Sequence, residues 1–116
     1  MNIAANVLIG LVAALHAYFL VLEMFLWDKP AGRKAFGLKQ DFATETKVLA
    51  ANQGLYNGFL AAGLLYAAAT GSREFALFFL ACVAVAGAYG AWSVNKRIFF
   101  VQAVPALLAL AAVCCL

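Results

Sequence analysis

The stretch IAANVLIGLVAALHAYFLVLEMFLW, residues 3–27, decides the fold. It is apolar over almost its whole length and contains no Lys or Arg. About 20 helical residues cross the ~30 Å hydrocarbon core of a bilayer. Only a helix or a closed barrel satisfies backbone hydrogen bonds in lipid, so the stretch predicts a membrane-spanning helix.

Three further apolar runs follow it along the chain. The links between the later runs, at residues 71–73 and 95–97, have room only for turns, so consecutive helices are expected to be antiparallel neighbours. The sequence predicts a single all-α domain over residues 1–116, built as an integral membrane four-helix bundle. Its helices are expected at about residues 3–27, 42–70, 74–94 and 98–116.

The composition excludes a water-soluble protein. Hydrophobic residues make up 67% and charged residues 11% of the chain, and the mean hydropathy is +0.96. This leaves too few polar side chains to cover a soluble domain. The net charge of +3 lies in loops and forms no basic stripe interleaved with aromatic residues, which argues against a nucleic-acid partner and for the lipid bilayer.

The distribution of basic residues predicts the orientation. The first and third links carry seven of the eight Lys and Arg residues, and the opposite side has only Arg73. The positive-inside rule then places those links in the cytoplasm and both termini outside. We therefore expect a multi-pass protein of the plasma (inner) membrane with a long first cytoplasmic loop.

That first loop is expected to be irregular. Pro30, Gly32 and Gly37 interrupt helical periodicity, so no helix is predicted between residues 28 and 41. Asp41 is interpreted as the N-cap of a second helix that starts near Phe42. Aromatic and aliphatic side chains of the loop are spaced to enter the membrane interface while its lysines stay in water.

Small residues predict close helix packing. Gly54 and Gly58 form a GxxxG pattern in the second helix, and Gly87 belongs to a ridge of small residues in the third. The contacts can lie within one chain or between chains, and a homo-oligomer is expected. Pro105 predicts a kink in the fourth helix.

Two polar side chains in the first apolar run are candidate chemical groups. His16 and Glu23 lie seven residues apart, within ~20° of one helix face and about 10 Å apart along the axis. This separation is too large for one metal ion, and there is no second His, so no metal site is predicted; a cofactor is left open. We interpret His16 and Glu23 as acid–base or ion-pairing groups.

The second helix adds hydrogen-bonding groups on an arc of ~140°, interpreted as the face opposite its glycines. Glu23 is expected level with Asn52 and Gln53, and His16 level with Tyr56 and Asn57. Together the polar groups form one layer in the cytoplasmic half, which predicts a pocket open to the cytoplasm. The predicted ligand-binding residues are Asn52, Gln53, Tyr56, Asn57, Lys47 and Gln102.

Three segments of the chain carry a family resemblance. HAYFLVLEMFLW at 16–27, GRKAFGL at 32–38 and ETKVLAANQGLYNGFLAAGLL at 45–65 closely resemble domain of unknown function 1304, a family of small membrane proteins. The resemblance covers nearly the whole chain and implies a four-helix membrane protein without a particular activity. The residues that it singles out are His16, Glu23, Glu45, Lys47, Asn52, Gln53, Tyr56 and Asn57.

Two other families are similar in architecture. Membrane-associated proteins of eicosanoid and glutathione metabolism are four-helix trimers, and Asn52 and Tyr56 match their glutathione-binding Asn and Tyr. Val48 and Leu55 stand where that family has Arg and Glu, so two charged ligands are missing. Small multidrug exporters resemble the chain through a membrane carboxylate in helix one, although Glu23 lies near one interface and the first loop here is longer.

Three functions follow as expectations. The first is a polar pocket that binds or transforms a lipophilic or amphipathic small molecule. The alternatives are a small proton-coupled transporter that uses Glu23, and a structural or assembly protein whose polar residues only join helices. Whether the protein is an enzyme is left open.

Overall fold

The computed structural model describes residues 1–115, and all regular structure in that range is helical. The helices are α1 (Ile3–Met24), α2 (Pro30–Phe36), α3 (Gln40–Thr70), α4 (Arg73–Ser93) and α5 (Val104–Cys115). A π-helical segment, Phe99–Ala103, precedes α5. The predicted all-α class is confirmed.

Two of these helices, α1 and α4, are long and apolar enough to cross a membrane. Helix α3 has 31 residues, but amides, hydroxyls and charges over its first half make it more polar than the other two. The helical run Phe99–Cys115 is apolar and shorter. Four membrane-spanning helices therefore stay a prediction.

The first link contains a helix that the sequence reasoning missed. Pro30 stands at the start of α2, where its fixed φ suits a helix and its missing N–H is not needed. Gly37 ends α2 with φ +67°, and the backbone N–H groups of Gly37 and Leu38 both donate to the carbonyl of Arg33. The prediction of an irregular loop was wrong because these residues bracket a short helix.

Helix α3 begins earlier than predicted. Its first residue is Gln40, and the backbone N–H of Ala43 donates to the carbonyl of Lys39. Asp41 therefore lies in the first turn and is not the N-cap; its carboxylate accepts a bond from the N–H of Phe42 at 2.9 Å. An acid in a first turn still interacts favourably with the helix dipole.

Helix α4 lies close to its predicted bounds. Ser72 caps it, since its hydroxyl accepts a bond from the N–H of Phe75 at 3.3 Å. Where Pro105 predicted a kink, the structure has the π-helical segment, and the N–H of Val104 donates to the carbonyl of Phe99. Pro105 cannot donate a backbone hydrogen bond, which is consistent with an irregular helix at this point.

The described chain divides into two compact units. The terminal unit combines Met1–Ala14 with Leu60–Leu116, of which residues 60–115 are described, and the hairpin unit is Leu15–Phe59. That residues 1–116 form one membrane domain stays a prediction.

The terminal unit is built on one apolar core to which four helices contribute. Small residues allow close approach there: a Cβ added at Gly87 would lie 2.6 Å from the backbone nitrogen of Ala103. The guanidinium Nε of Arg73 donates to the carbonyl of Val113 at 3.3 Å, joining the start of α4 to the end of α5. The buried core residues are Ala5, Ile9, Val12, Ala13, Leu64, Ala67, Ala76, Leu80, Val83, Ala106, Ala109, Ala112 and Val113.

Candidate functional site

The hairpin unit packs the second half of α1 antiparallel to the first half of α3. A Cβ added at Gly54 would lie 2.6 Å from Cγ of Met24 and 3.1 Å from Cβ of Glu23, and one at Gly58 would lie 2.7 Å from Cδ1 of Leu20. Later residues of α3 thus meet earlier residues of α1. The two glycines let the helices approach more closely than any side chain would permit.

Glu23 and Asn57 meet in this glycine-lined contact. The side-chain amide of Asn57 donates a hydrogen bond to Oε1 of the Glu23 carboxylate. Asn57 is only 7% exposed and Glu23 is half-buried. The bond joins two helices through groups that would be unfavourable in an apolar contact without a partner.

The position of Asn57 corrects two predictions. Gly54, Asn57 and Gly58 follow the spacing i, i+3, i+4 and share one face of α3, so Asn57 does not lie opposite the glycines. Asn57 was also expected level with His16, but it bonds Glu23, two turns further along α1. Glu23 meets Asn57 instead of Asn52 and Gln53, so its partner on α3 lies about one turn later than predicted.

His16 is completely buried and ranks among the largest such side chains in the described residues. Its ring meets the ring of Phe19 edge-on, with centroids 5.4 Å apart. Seven residues of α1 separate it from Glu23, a rise of about 10 Å. His16 and Glu23 thus occupy different levels of the same helix, as predicted.

The other predicted ligand-binding residues are spread more widely. Asn52, Gln53 and Tyr56 are exposed on α3, within about one turn of Asn57. The ring of Tyr56 contacts Phe59, with centroids 5.9 Å apart. Gln102 is half-buried in the π-helical segment, which belongs to the terminal unit.

Lys47 forms an ion pair with Asp28 in the hairpin unit. Its ammonium lies 3.2 Å from Oδ2 of Asp28, and the hydrogen bond that it donates holds the pKa of Asp28 below the usual value. Asp28 lies in the short link between α1 and α2. Lys47, predicted to bind a ligand, thus has a carboxylate partner within its own unit.

Sequence reasoning also missed a hydrogen bond between Trp27, in the link after α1, and Thr46 of α3. The indole N–H of Trp27 donates to the hydroxyl of Thr46 at 2.9 Å, and its ring packs on Phe36 with centroids 4.9 Å apart. The one sequence feature that indicated this bond was a Trp at the end of an apolar helix. The indole N–H group of such a residue commonly finds a hydrogen-bond acceptor. Its acceptor could not be read from spacing, since it lies 19 positions away.

Two surface grooves run along α4 in the terminal unit and do not include the predicted site residues. One is lined by Glu74 and three Phe side chains, and the other is lined by Phe78, Ala81, Cys82, Val85, Ala86 and Tyr89. The chemistry that the hairpin unit offers instead is a carboxylate that accepts hydrogen bonds or a cation, beside a buried amide.

Comparisons with known proteins agree with the family resemblance. The sequence profile of the family described as "Protein of unknown function (DUF1304)" matches residues 10–114. "Uncharacterized protein YpaA" of Lactococcus lactis subsp. lactis (strain IL1403) is 31% identical over 114 residues, which cover 95% of this chain and 96% of YpaA. No solved structure matches the chain. The profile match runs from α1 into α5 and includes both Glu23 and Asn57. Because the match covers most of the chain, the chain belongs to the DUF1304 family.

Proposed function

We propose that this protein spans the inner membrane with a bundle of four helices, both termini outside, and binds a small amphipathic molecule next to Glu23. The site opens toward the cytoplasm, and its ligand carries a cationic or hydrogen-bond-donating group on a lipophilic body. The apolar helices α1 and α4 and the concentration of Lys and Arg in two links support this placement.

The observation that carries the proposal is the half-buried carboxylate of Glu23, held in an apolar helix by the amide of Asn57. Acidic side chains within membrane helices are unfavourable and usually mark a pathway or a binding site. A carboxylate can accept several hydrogen bonds, so the bond from Asn57 leaves capacity for an ammonium or N–H group of a ligand.

The neighbouring residues suit such a ligand. Leu20 and Met24 line the same contact and supply apolar, adaptable surface for a hydrocarbon body. Asn52, Gln53 and Tyr56 are exposed on α3 within five residues of Asn57, and we propose that they orient a polar head. His16, two turns along α1, is the second acid–base group of the proposal.

Binding of a lipophilic amine tests the role of Glu23. The purified protein in a nonionic detergent is titrated with dodecylammonium and, separately, with dodecanol, and Glu23→Gln is compared with Asp41→Asn. Asp41 is an exposed carboxylate in the same unit and makes a matched control.

We expect Glu23→Gln to weaken dodecylammonium binding by about tenfold or more, as loss of a charge-assisted hydrogen bond would, and Asp41→Asn to leave it unchanged. Equal binding by both variants, or equal binding of amine and alcohol by the wild type, would refute the proposal.

A structural role is the second candidate, and the interhelical bond between Glu23 and Asn57 favours it. In that case Glu23→Gln and Asn57→Ala change thermal stability or oligomer size, and the wild type shows no preference for the amine.

Proteoliposomes test the transporter alternative. Proton-coupled uptake of the same amine that is lost in Glu23→Gln would extend the binding function to transport.

A further inference from the structure

Helix α2 is fixed rigidly to the end of α1. Gly32 is buried, and a Cβ at that position would overlap the carbonyl group of Leu26, so only Gly permits this approach. The ring of Phe36 packs on Trp27, which is itself hydrogen-bonded to Thr46 of α3. The short helix is thus a defined part of the hairpin unit.

This helix and its flanks carry four cations: Lys29, Arg33, Lys34 and Lys39. None of the four forms an ion pair with any residue that the structure describes, whereas Lys47 is bound to Asp28. The Nε atom of Arg33 is buried and has no hydrogen-bond acceptor among residues 1–115. A buried donor without an acceptor is unfavourable, so the guanidinium of Arg33 is held in the structure without all the hydrogen bonds that it can make.

Apolar side chains flank the same cations. Phe36 is 39% exposed even though it packs on Trp27, and Phe42 is 51% exposed. Exposed aromatic rings beside cations, directly after a helix able to cross a membrane, are typical of the boundary between headgroups and acyl chains. This combination favours a ligand that has both a phosphate and a hydrocarbon part over a soluble anion.

We propose that α2 and its flanks bind the headgroup of an anionic phospholipid. The guanidinium of Arg33 and the ammonium groups of Lys29 and Lys34 hold the phosphate oxygens, and Phe36 and Phe42 enter the adjacent acyl region. The inference rests on the membrane placement given under the proposed function but does not depend on the binding site at Glu23.

Native mass spectrometry of the protein in nonionic detergent tests this, with equimolar phosphatidylglycerol and phosphatidylcholine of identical acyl chains as competing probes. We expect the wild type to retain the anionic lipid preferentially. The double variant Arg33→Gln/Lys34→Gln should lower that preference by about 25-fold, since each of the two cations near a membrane surface contributes about fivefold. Arg33→Lys, which keeps the charge but removes the buried Nε, should lower it as well.

The matched control is Lys96→Gln/Arg97→Gln, which removes two exposed cations from the turn before the π-helical segment. Equal loss in this control would show a general effect of net charge and overturn the site. Displacement of the lipid by millimolar inorganic phosphate would point instead to a soluble phosphate ligand, and no preference in the wild type would refute the inference outright.

Two further results separate this inference from the proposed function. Glu23→Gln should keep the lipid preference, because Glu23 is not part of the headgroup site. Release of the wild type from cell membranes by an alkaline wash would refute the membrane placement itself. A protein that resists the wash but shows no lipid preference would refute only the headgroup site.

Discussion

The carboxylate of Glu23 accepts a hydrogen bond from the side-chain amide of Asn57, which lies 34 positions later in the chain. Two glycines on α3, Gly54 and Gly58, bring that helix close enough to α1 for the bond to form. The carboxylate, the amide and the glycines therefore act together, and a change in any one of them is expected to affect the others.

Removal of the amide should destabilise the hairpin unit. Asn57→Ala leaves a half-buried carboxylate without its partner, and we expect a loss of about 1–2 kcal/mol in the free energy of unfolding. Denaturant unfolding in detergent micelles, followed by circular dichroism, measures it. Asn52→Ala removes an exposed amide from the same helix and should change the free energy by less than about 0.5 kcal/mol.

A double-mutant cycle tests whether the loss in the free energy of unfolding comes from the hydrogen bond between Glu23 and Asn57. With Glu23→Ala and Asn57→Ala, we expect a coupling energy of at least about 0.5 kcal/mol between the two positions. Additive effects of the two substitutions would mean that the bond contributes nothing to stability.

Filling the helix contact at Gly54 should push α1 and α3 apart. The Cβ of Gly54→Leu would lie 2.6 Å from Met24, and the rest of the side chain needs space that the contact lacks, so we expect a loss of about 1–3 kcal/mol. Gly10→Ala is the control, since an added Cβ at Gly10 has no neighbour within 4 Å. That variant should be neutral or slightly stabilising, because Ala favours a helix over Gly. Similar melting temperatures for both variants would contradict the close packing.

The ion pair between Asp28 and Lys47 predicts a pH dependence. The pKa of Asp28 is lowered in the folded protein by the hydrogen bond from Lys47, so the unfolded state takes up protons first as the pH falls. The stabilisation is therefore complete above the unfolded pKa of about 3.9 and disappears as the pH falls through the lower folded value. Melting curves from pH 7 to pH 3 should show Asp28→Asn less stable than the wild type at neutral pH, with a smaller difference at pH 3. A difference that stays constant from pH 7 to pH 3 would require another explanation.

The bond from Trp27 to Thr46 should be measurable separately from the ring contact. Trp27→Phe keeps an aromatic ring for Phe36 and removes the indole N–H, with an expected loss of about 1 kcal/mol. Thr46→Val removes the acceptor. If the bond stabilises the hairpin unit, the double variant will lose less than the sum of the two single losses in thermal unfolding.

Much of the helical structure could be predicted because it depends on local properties of the chain. The bounds of α4 follow from an apolar run between a serine cap and a polar turn, and α1 follows from an apolar run alone. Helix α2 was missed because Pro and Gly have opposite meanings inside a helix and at its two ends. Only the backbone conformation shows that Pro30 begins a helix and Gly37 ends one.

The candidate site could be predicted only in part. Glu23 and Asn57 were recognised because polar groups in apolar helices need partners, but the expected depths placed Glu23 level with Asn52 and Gln53, and Asn57 level with His16. The partners of Lys47 and Trp27 were not predicted, since Asp28 and Thr46 are common types of residue in a polar loop and in a first helical turn.

By itself, the sequence determined that the chain is helical, which segments are apolar, where the cations gather and to which family the chain belongs. Tertiary structure decided which polar groups meet: Glu23 with Asn57, Asp28 with Lys47, and Trp27 with Thr46. The physical reason is register. A shift of one helical turn leaves hydropathy and periodicity unchanged, whereas the close contacts of Gly54 and Gly58 with Leu20, Glu23 and Met24 exist in one particular alignment.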